Sequence, residues 1–474
     1  MAGFMNTLKQ TFKDNIADWD YLLNAYKGKD IEENYLYKWV TEETTELGKK
    51  VYERRKKITP YFNFSKKIVK SYNNFIYKDT PKRENFPKEA LEFSGVKNYD
   101  KQIKATSIYT TVCGKCWLFI DKDNPSENIK TKKDEIDNKL FPYLVAVPPN
   151  QVYNWTREID NSISQVAWYK IIEDRIFGYY WDREVWEVWV ADYLTTDSLD
   201  GAIAKLAIKQ TGANVVKRVP VLEIVDEDAD LIKGTSTWYK DIVKQDITYY
   251  NKVSVKNLNI DQQALGILIL PDSYEQNKEG VVNKTGTSTG YYESGEEQGI
   301  CRFISPDSDM TIKEIREDLD ADRAMIYFMA GLTQSRQLNM SQSVESKEFD
   351  FVETEKFLSN WADIMERAEK DALKIIGLFQ GQDYKDVEIS YNKEFIAQEL
   401  ADIIAVALDI DTMDIRSNKF KKHLQKSIIT AYAKGKVSPE TLDEMLKEVE
   451  EADFEDLNKT LSRFNVKPED NPSD

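Results

Sequence analysis

Histidine is nearly absent: the 474-residue chain has one, His423. General acid–base relays, Ser/His/Asp triads and His-rich metal sites all need an imidazole in place, so most hydrolytic and transfer chemistry loses its usual proton carrier. Chemistry on paired carboxylates stays open. Cysteine is scarce as well, with three in the chain. So few, and an odd number, argue against a disulfide framework and for a reducing compartment. No run approaches about 18 uninterrupted apolar residues, so no membrane span is expected. The opening residues, MAGFMNTLKQTFKDNIADWDYLL, lack a cationic stretch followed by a continuous apolar run and do not read as a signal peptide. Positive charge is in deficit, with 65 Lys+Arg against 82 Asp+Glu and a formal net charge of −17. That balance opposes a protein whose whole surface grips nucleic acid by neutralising phosphates. No G-x-x-x-x-G-K-[ST] occurs, so any energy-driven work must draw on a partner ATPase.

Apolar residues are plentiful. They make up 41% of the chain, with 26 Tyr and 10 Trp, which is enough for a sizeable core and excludes global disorder. At roughly 100–200 residues per domain the length predicts two or three modules. Residues 5–78 are helical in pattern, with Ile68, Tyr72, Phe75 and Ile76 at helical steps before Thr80-Pro81. Period-two texture follows in SIYTTVCGKCWLFIDKD (107–123), PYLVAVPPNQVYNW (142–155), SQVAWYKII (164–172), RIFGYYWD (175–182) and EVWEVWVADYL (184–194), which predicts an antiparallel meander over about 105–225.

Helical texture returns at Ser236, a candidate N-cap, with Trp238, Ile242, Val243, Ile247, Tyr250, Val253 and Leu258 on one stripe. A short apolar strand, ALGILILP (264–271), and a polar Gly/Ser/Thr-rich projecting stretch (279–299) come next. A second helix is expected over 310–332, with Gly331 near its C-cap, then a polar break at 333–346. Over about 347–379, Leu358, Trp361, Met365, Ala368, Ala372, Ile375 and Phe379 keep a heptad rhythm. A strand, DVEISYN (386–392), precedes a helical C-terminal region in which Ser438-Pro439 opens the last amphipathic helix. The final residues, VKPEDNPSD, read as a disordered tail.

Each chemically suggestive motif has a plainer explanation. Cys113-Gly114-Lys115-Cys116 is a CxxC, but with only Cys301 and His423 left over it lacks a second ligand pair, and it is expected to be a tight hairpin turn at Gly114-Lys115. Glu314, Glu317, Asp318, Asp320 and Asp322 could line a metal site, yet Lys313, Arg316 and Arg323 lie among them, so a solvated or interface charge face is expected. His423 sits in the basic segment KFKKHLQK, where a catalytic role is not expected. Trp168, Trp181, Trp186 and Trp189 in alternating strands are expected to fill a core or an interface rather than to stack on a ligand. What the residues describe is a plan and not a reaction site: a β-rich body, a helix out, a projecting polar loop, a helix back, a polar break and a long helix. Such a plan suits a structural or channel-forming oligomer whose copies bury one another's stripes.

The order and spelling of these segments resemble the portal proteins of tailed double-stranded DNA bacteriophages, over roughly residues 30–460. YFNFSKKIVKSYNNFIYKDTP resembles the family's N-terminal helix, CGKCWLFIDKD and YLVAVPPNQVYNW its paired wing strands, and VPVLEIVDEDADLIKGTSTWYKDIVKQDITYYNKVSVKNL its strand-to-stem transition. FISPDSDMTIKEIREDLDADRAMIYFMAGLTQ with SVESKEFDFVETEKFLSNWADIMERAEKDALKIIGLF is similar to the second stem helix, tunnel loop and long helix, and KGKVSPETLDEML to the start of the crown helix. A departure is Ser343-Val344-Glu345-Ser346, where related sequences often read Ser-Gly.

The resemblance implies an α+β, portal-like fold with a β-rich wing (1–235), stem helices (236–263 and 309–332), a small α/β clip with a projecting loop (264–308), a tunnel loop (333–347), a long wing helix and strand (348–394), a helical crown (395–465) and a disordered tail (466–474). It implies a ring, commonly of twelve subunits, assembled in the host cytoplasm and built into one capsid vertex of the virion. Double-stranded DNA would pass through it without sequence specificity during packaging and ejection. Gln334, Arg336, Gln337, Asn339, Ser341 and Gln342 would face that DNA, and Tyr274, Lys284, Tyr291 and Tyr292 of the clip would dock the terminase motor and later the head-completion proteins. The major capsid or scaffold protein would be a further partner; no cofactor, metal, catalysis or membrane is expected. An acidic, weakly adhesive conduit is consistent with passage of a duplex that carries one charge per about 1.7 Å. Two other classes compete: a different virion structural protein, such as a scaffold or head–tail connector, and an enzyme using paired carboxylates on nucleic acid or glycans.

Overall fold

A computed structural model describes residues 2–123, 140–194, 198–226, 237–263, 267–271, 291–293, 302–304, 308–332, 344–393 and 439–451, with positions 419, 422, 423, 425, 426 and 429. It is a mixed helix-and-sheet protein, 56% helical and 20% strand, of the α+β class. The chain divides into two compact units, Met1–Lys393 and Glu394–Asp474.

The first unit opens with six helices: α1 (Ala2–Met5), α2 (Gln10–Lys27), α3 (Ile31–Asn34), α4 (Val40–Thr44), α5 (Glu46–Ile58) and α6 (Phe64–Ile76). Side-chain caps punctuate them, as expected where the first backbone N–H groups lack partners. Thr45 accepts from Gly48 N at 2.9 Å to start α5, and Asn63 from Lys66 N at 2.8 Å to start α6. The α4–α5 corner is tight enough to need glycine, since a Cβ on Gly48 would stand 1.9 Å from the Thr41 carbonyl oxygen. On α6 the expected stripe is buried, with Ile68 and Ile76 at 0% exposure.

Strands β4 (Val152–Arg157), β5 (Ile163–Ile172), β6 (Arg175–Trp181), β7 (Val185–Asp192) and β8 (Ala207–Ala213) form an antiparallel meander in the order β4-β5-β6-β7-β8; its first four strands fall in the expected runs from 142 to 194, β8 lies outside those runs, and the strand of the 107–123 run lies in another sheet. Its tryptophans pack rather than project: Trp168 stacks on its cross-strand partner Tyr179 at 4.2 Å, and Trp189 is buried. A second sheet, β3 (Tyr143–Val147), β2 (Lys115–Asp121) and β9 (Val221–Val225), lies in the core with Trp117 and Leu118 fully buried on opposite faces of β2. The run 142–155 therefore serves two sheets, broken at Pro148-Pro149, where missing N–H groups end the ladder.

Residues 107–113, expected to be strand, end a helix instead, α8 (Tyr99–Cys113), which follows the short α7 (Lys88–Leu91). Thr106, Thr110 and Thr111 each return their hydroxyl to the carbonyl four residues back, at 2.9 Å. The β-branched side chains that suggested a strand thus satisfy themselves inside a buried helix. The expected hairpin at Gly114-Lys115 is correspondingly a helix-to-strand corner, with Gly114 at φ 77°.

The long helix, Val344–Gln380, follows the heptad expectation in position and contradicts it in meaning. Leu358, Trp361, Met365, Ala368, Ala372 and Ile375 are buried within the same chain, against α6, α8, β2, β9 and β13 (Glu388–Ser390). The rhythm marks an intramolecular core, with no coiled-coil partner needed to cover it. Strand β13 pairs antiparallel with β1 (Lys82–Glu84). In the second unit a helix spans Pro439–Glu451, with Pro439 at its first position as read from Ser438-Pro439.

Candidate functional site

Two helices and what lies between them organise the candidate site. The outgoing helix, Thr237–Gln263, has 27 residues and so runs about 40 Å; the returning helix, Ser308–Met329, has 22. Lys252 bridges Asp318 at 2.7 Å and Asp322 at 2.8 Å, and Gln245 Nε2 donates to Asp322 Oδ1 at 2.9 Å. Rising numbers on one helix meet falling numbers on the other, so the pair is antiparallel. Between them in sequence lies a small sheet in which β10 (Ile267–Pro271) pairs parallel with β11 (Tyr291–Glu293) and antiparallel with β12 (Arg302–Ile304).

The outgoing helix is locked to the body by polar groups buried in its apolar stripe. Asp246 Oδ2 accepts from Ser65 N at 2.9 Å, from Tyr61 OH at 3.0 Å and from the Ser65 hydroxyl, and thereby satisfies a buried first-turn N–H of α6 that has no partner within the helix. Further along, Asn251 spans the chain at Tyr35 and Tyr37, donating to the Tyr35 carbonyl at 2.9 Å and accepting from Tyr37 N at 2.8 Å. Arg55, 1% exposed, donates to Ser254 Oγ at 2.9 Å and to Glu42 Oε2 at 2.7 Å, while Trp39 stacks on its guanidinium at 4.0 Å.

Burial raises the Asp246 carboxyl above the ordinary aspartate range, and the donors from Ser65 and Tyr61 oppose that shift. The stability linked to this group is therefore greatest in acid. It falls as pH rises from the unfolded value of about 3.9 through the higher folded one. Asp246→Asn keeps an oxygen acceptor and removes the ionisation. Its stability relative to wild type is expected to improve between pH 4 and pH 7 in urea titrations, and a pH-independent difference would contradict the assignment.

The start of the outgoing helix, the end of the returning helix and an inner turn of the long helix meet at Tyr72. Its ring lies 5.6 Å from Trp238 at the start of the outgoing helix and 5.4 Å from Phe357 of the long helix, and its hydroxyl donates to the Ala330 carbonyl at the end of the returning helix. Trp238 and Phe357 are themselves 5.3 Å apart. Gly331 ends the returning helix at φ 60°, with its N–H on Phe328 O at 2.8 Å and Leu332 N on Tyr327 O at 2.9 Å, close to the glycine cap expected there. The long helix is held by Trp361 Nε1 donating to Ser107 Oγ at 3.0 Å and by a buried ion pair. Glu369, 0% exposed, accepts from Arg83 Nε at 2.8 Å and Nη2 at 3.0 Å and from the Tyr391 hydroxyl, and Arg83 also meets Asp100 at 2.8 Å. Burial first and the Glu369 charge second push the Tyr77 and Tyr99 phenols up.

Of the residues singled out in the sequence, Gln334, Arg336, Gln337, Asn339, Ser341, Gln342, Tyr274 and Lys284 lie outside the described residues. Tyr291 and Tyr292 fall in β11, opposite Ile269 and Leu270. Asp318 and Asp322 are spent on Lys252, and Asp320 pairs with Arg323 at 3.1 Å. Among the described residues no group of three or more His, Cys, Asp or Glu could hold a metal ion. Cys113 and Cys116 are free, buried thiols that burial pushes up, an inert environment for redox or metal chemistry. His423 is exposed on a helical segment. Asp246, Arg55 and Glu369 went unremarked in the sequence; the legible signal for Asp246 was a carboxylate among Ile242, Val243, Ile247 and Tyr250 on an otherwise apolar stripe. No protein-family model matches the chain, and no curated protein matches it.

Proposed function

We propose that this chain is one subunit of a ring-shaped portal of a tailed double-stranded DNA bacteriophage, a conduit at one capsid vertex through which DNA is packaged and ejected. The observation that carries the proposal is the Tyr72 hub. An antiparallel helix pair leaves it and returns to it with a small sheet between the two in sequence, and Phe357 of the long helix packs on the same hub. That arrangement suits a rigid lever that carries partner-binding elements away from a body. The work proposed is mechanical.

In this account Gln334, Arg336, Gln337, Asn339, Ser341 and Gln342 touch the passing duplex. Amide and hydroxyl groups make exchangeable phosphate contacts, and a single arginine adds little of the counterion-release penalty that a basic channel would impose on movement. The segment 264–308 docks the motor ATPase and then the head-completion proteins. Arg336→Glu combined with deletion of 338–342 is expected to leave oligomer assembly at wild-type level and to cut the yield of DNA-filled heads at least tenfold in a complementation assay. Loss of assembly in that variant would place the segment at a subunit interface and contradict its assignment to the channel.

A further inference from the structure

Resting on the ring proposed above, we infer that neighbouring copies of this chain join through the outer face of the returning helix on one copy and the outer face of α5 on the next. The two faces lie on roughly opposite sides of the outgoing helix. Gln245 and Lys252, two turns apart on one stripe, meet the returning helix, whereas Ser254, nearly half a turn around the axis, and Asn251, about a third of a turn around it, meet the α3–α5 side. A contact between different faces is heterologous, and repeating it generates a ring when the rotation closes.

Among the described residues, both faces expose large apolar side chains. On the returning helix Met325 is 49% and Phe328 65% exposed; on the α4–α5 corner Val40 is 75% and Leu47 74% exposed. Their charges are complementary. Helix α5 holds six cations and two carboxylates, and the returning helix six carboxylates and three cations. Along the exposed stripe of α5, Leu47 comes first and then Lys50, Arg54 and Lys57; along that of the returning helix, Glu314 and Glu317 come first and then Met325 and Phe328. The patterns match when the helices run antiparallel.

That orientation is already set within each copy. Helix α5 runs parallel to the outgoing helix, with Arg55 at Ser254 and Ile58 at Asn257, and the outgoing helix runs antiparallel to the returning one. A cyclic rotation about an axis along these helices preserves direction and adds no shift along the axis. The levels then decide the match. Counting along the helices from the contacts above, Lys57 stands level with residue 256 and Glu314, Arg54 with residue 253 and Glu317, and Leu47 with residue 246 and Met325. At these three levels cations meet carboxylates and Leu47 meets Met325, as a zero-shift ring requires, and Lys50 falls level with Ala321, about one turn from Glu317.

The test uses two full-length variants, Lys50→Glu/Lys57→Glu and Glu314→Lys/Glu317→Lys, all four positions being exposed. Like charges facing one another across an interface are strongly unfavourable, and a ring repeats the penalty at every contact. Each variant alone is expected to keep the wild-type melting curve and lose at least tenfold of its closed oligomer in mass photometry. An equimolar mixture is expected to recover it, because each swapped face finds a swapped partner on the other copy. Wild-type assembly by either variant alone, or a mixture of folded variants that fails to recover, overturns this interface while leaving the ring intact. A wild-type chain that never oligomerises overturns the ring, and the interface with it.

Discussion

Replacing Glu369 by alanine is expected to lower the unfolding free energy of the Met1–Lys393 unit by about 3–5 kcal/mol, the usual penalty for removing one partner of a buried ion pair. The carboxylate is 0% exposed and gathers Arg83 and the Tyr391 hydroxyl around one point. Without it the Arg83 guanidinium keeps Asp100 but loses its bidentate acceptor, and β1, β13 and the long helix lose the group that ties them together. Glu369→Gln should fall between the two, since an amide oxygen accepts from Arg83 without balancing its charge. Chemical denaturation followed by tryptophan fluorescence measures both; a loss under about 1 kcal/mol for the alanine variant would mean the pair contributes no more than an exposed salt bridge.

Arg55 supports the second large expectation. Arg55→Leu strands Glu42 as an uncompensated buried carboxylate, 3% exposed, and is expected to cost about 3–5 kcal/mol. Adding Glu42→Gln should recover part of that loss, because it removes the stranded charge while keeping an acceptor for the Trp39 N–H, which bonds Glu42 Oε2 at 2.9 Å. Additivity of the two substitutions in a double-mutant cycle would contradict a coupled pair. The consequence reaches beyond stability. Arg55 also fixes α5 against Ser254 of the outgoing helix, so the variant should loosen the face assigned to the neighbouring copy.

Much of this fold was legible in the sequence because period and punctuation agreed there. The α6 stripe, the meander from Ile163 to Asp192, the helix after Ser236 and the glycine cap at Gly331 all pair a clear hydrophobic rhythm with a residue that starts or stops it. Residues 107–113 misled because Ile108, Tyr109, Thr110, Thr111 and Val112 carry strand preference, whereas in the structure the two threonine hydroxyls find carbonyls one turn back, a bond that the helix offers. The heptad on the long helix misled differently: a seven-residue rhythm specifies a narrow apolar stripe and is silent about whether another copy or the same chain covers it. Buried ions were the least legible. Arg83 and Glu369, or Arg55 and Glu42, look like ordinary surface charges until β1 is laid beside β13 or α4 beside α5. The residues assigned to the channel rest on their composition and their place between two anchored helices.

Imaging the purified full-length chain by electron microscopy, with two-dimensional class averages viewed down the particle axis, tests the central claim most directly. A closed ring of repeating subunits around a central hole wide enough for a DNA duplex is the expected result. A population of compact monomers under every condition that permits assembly, or oligomers without a central passage, would contradict it.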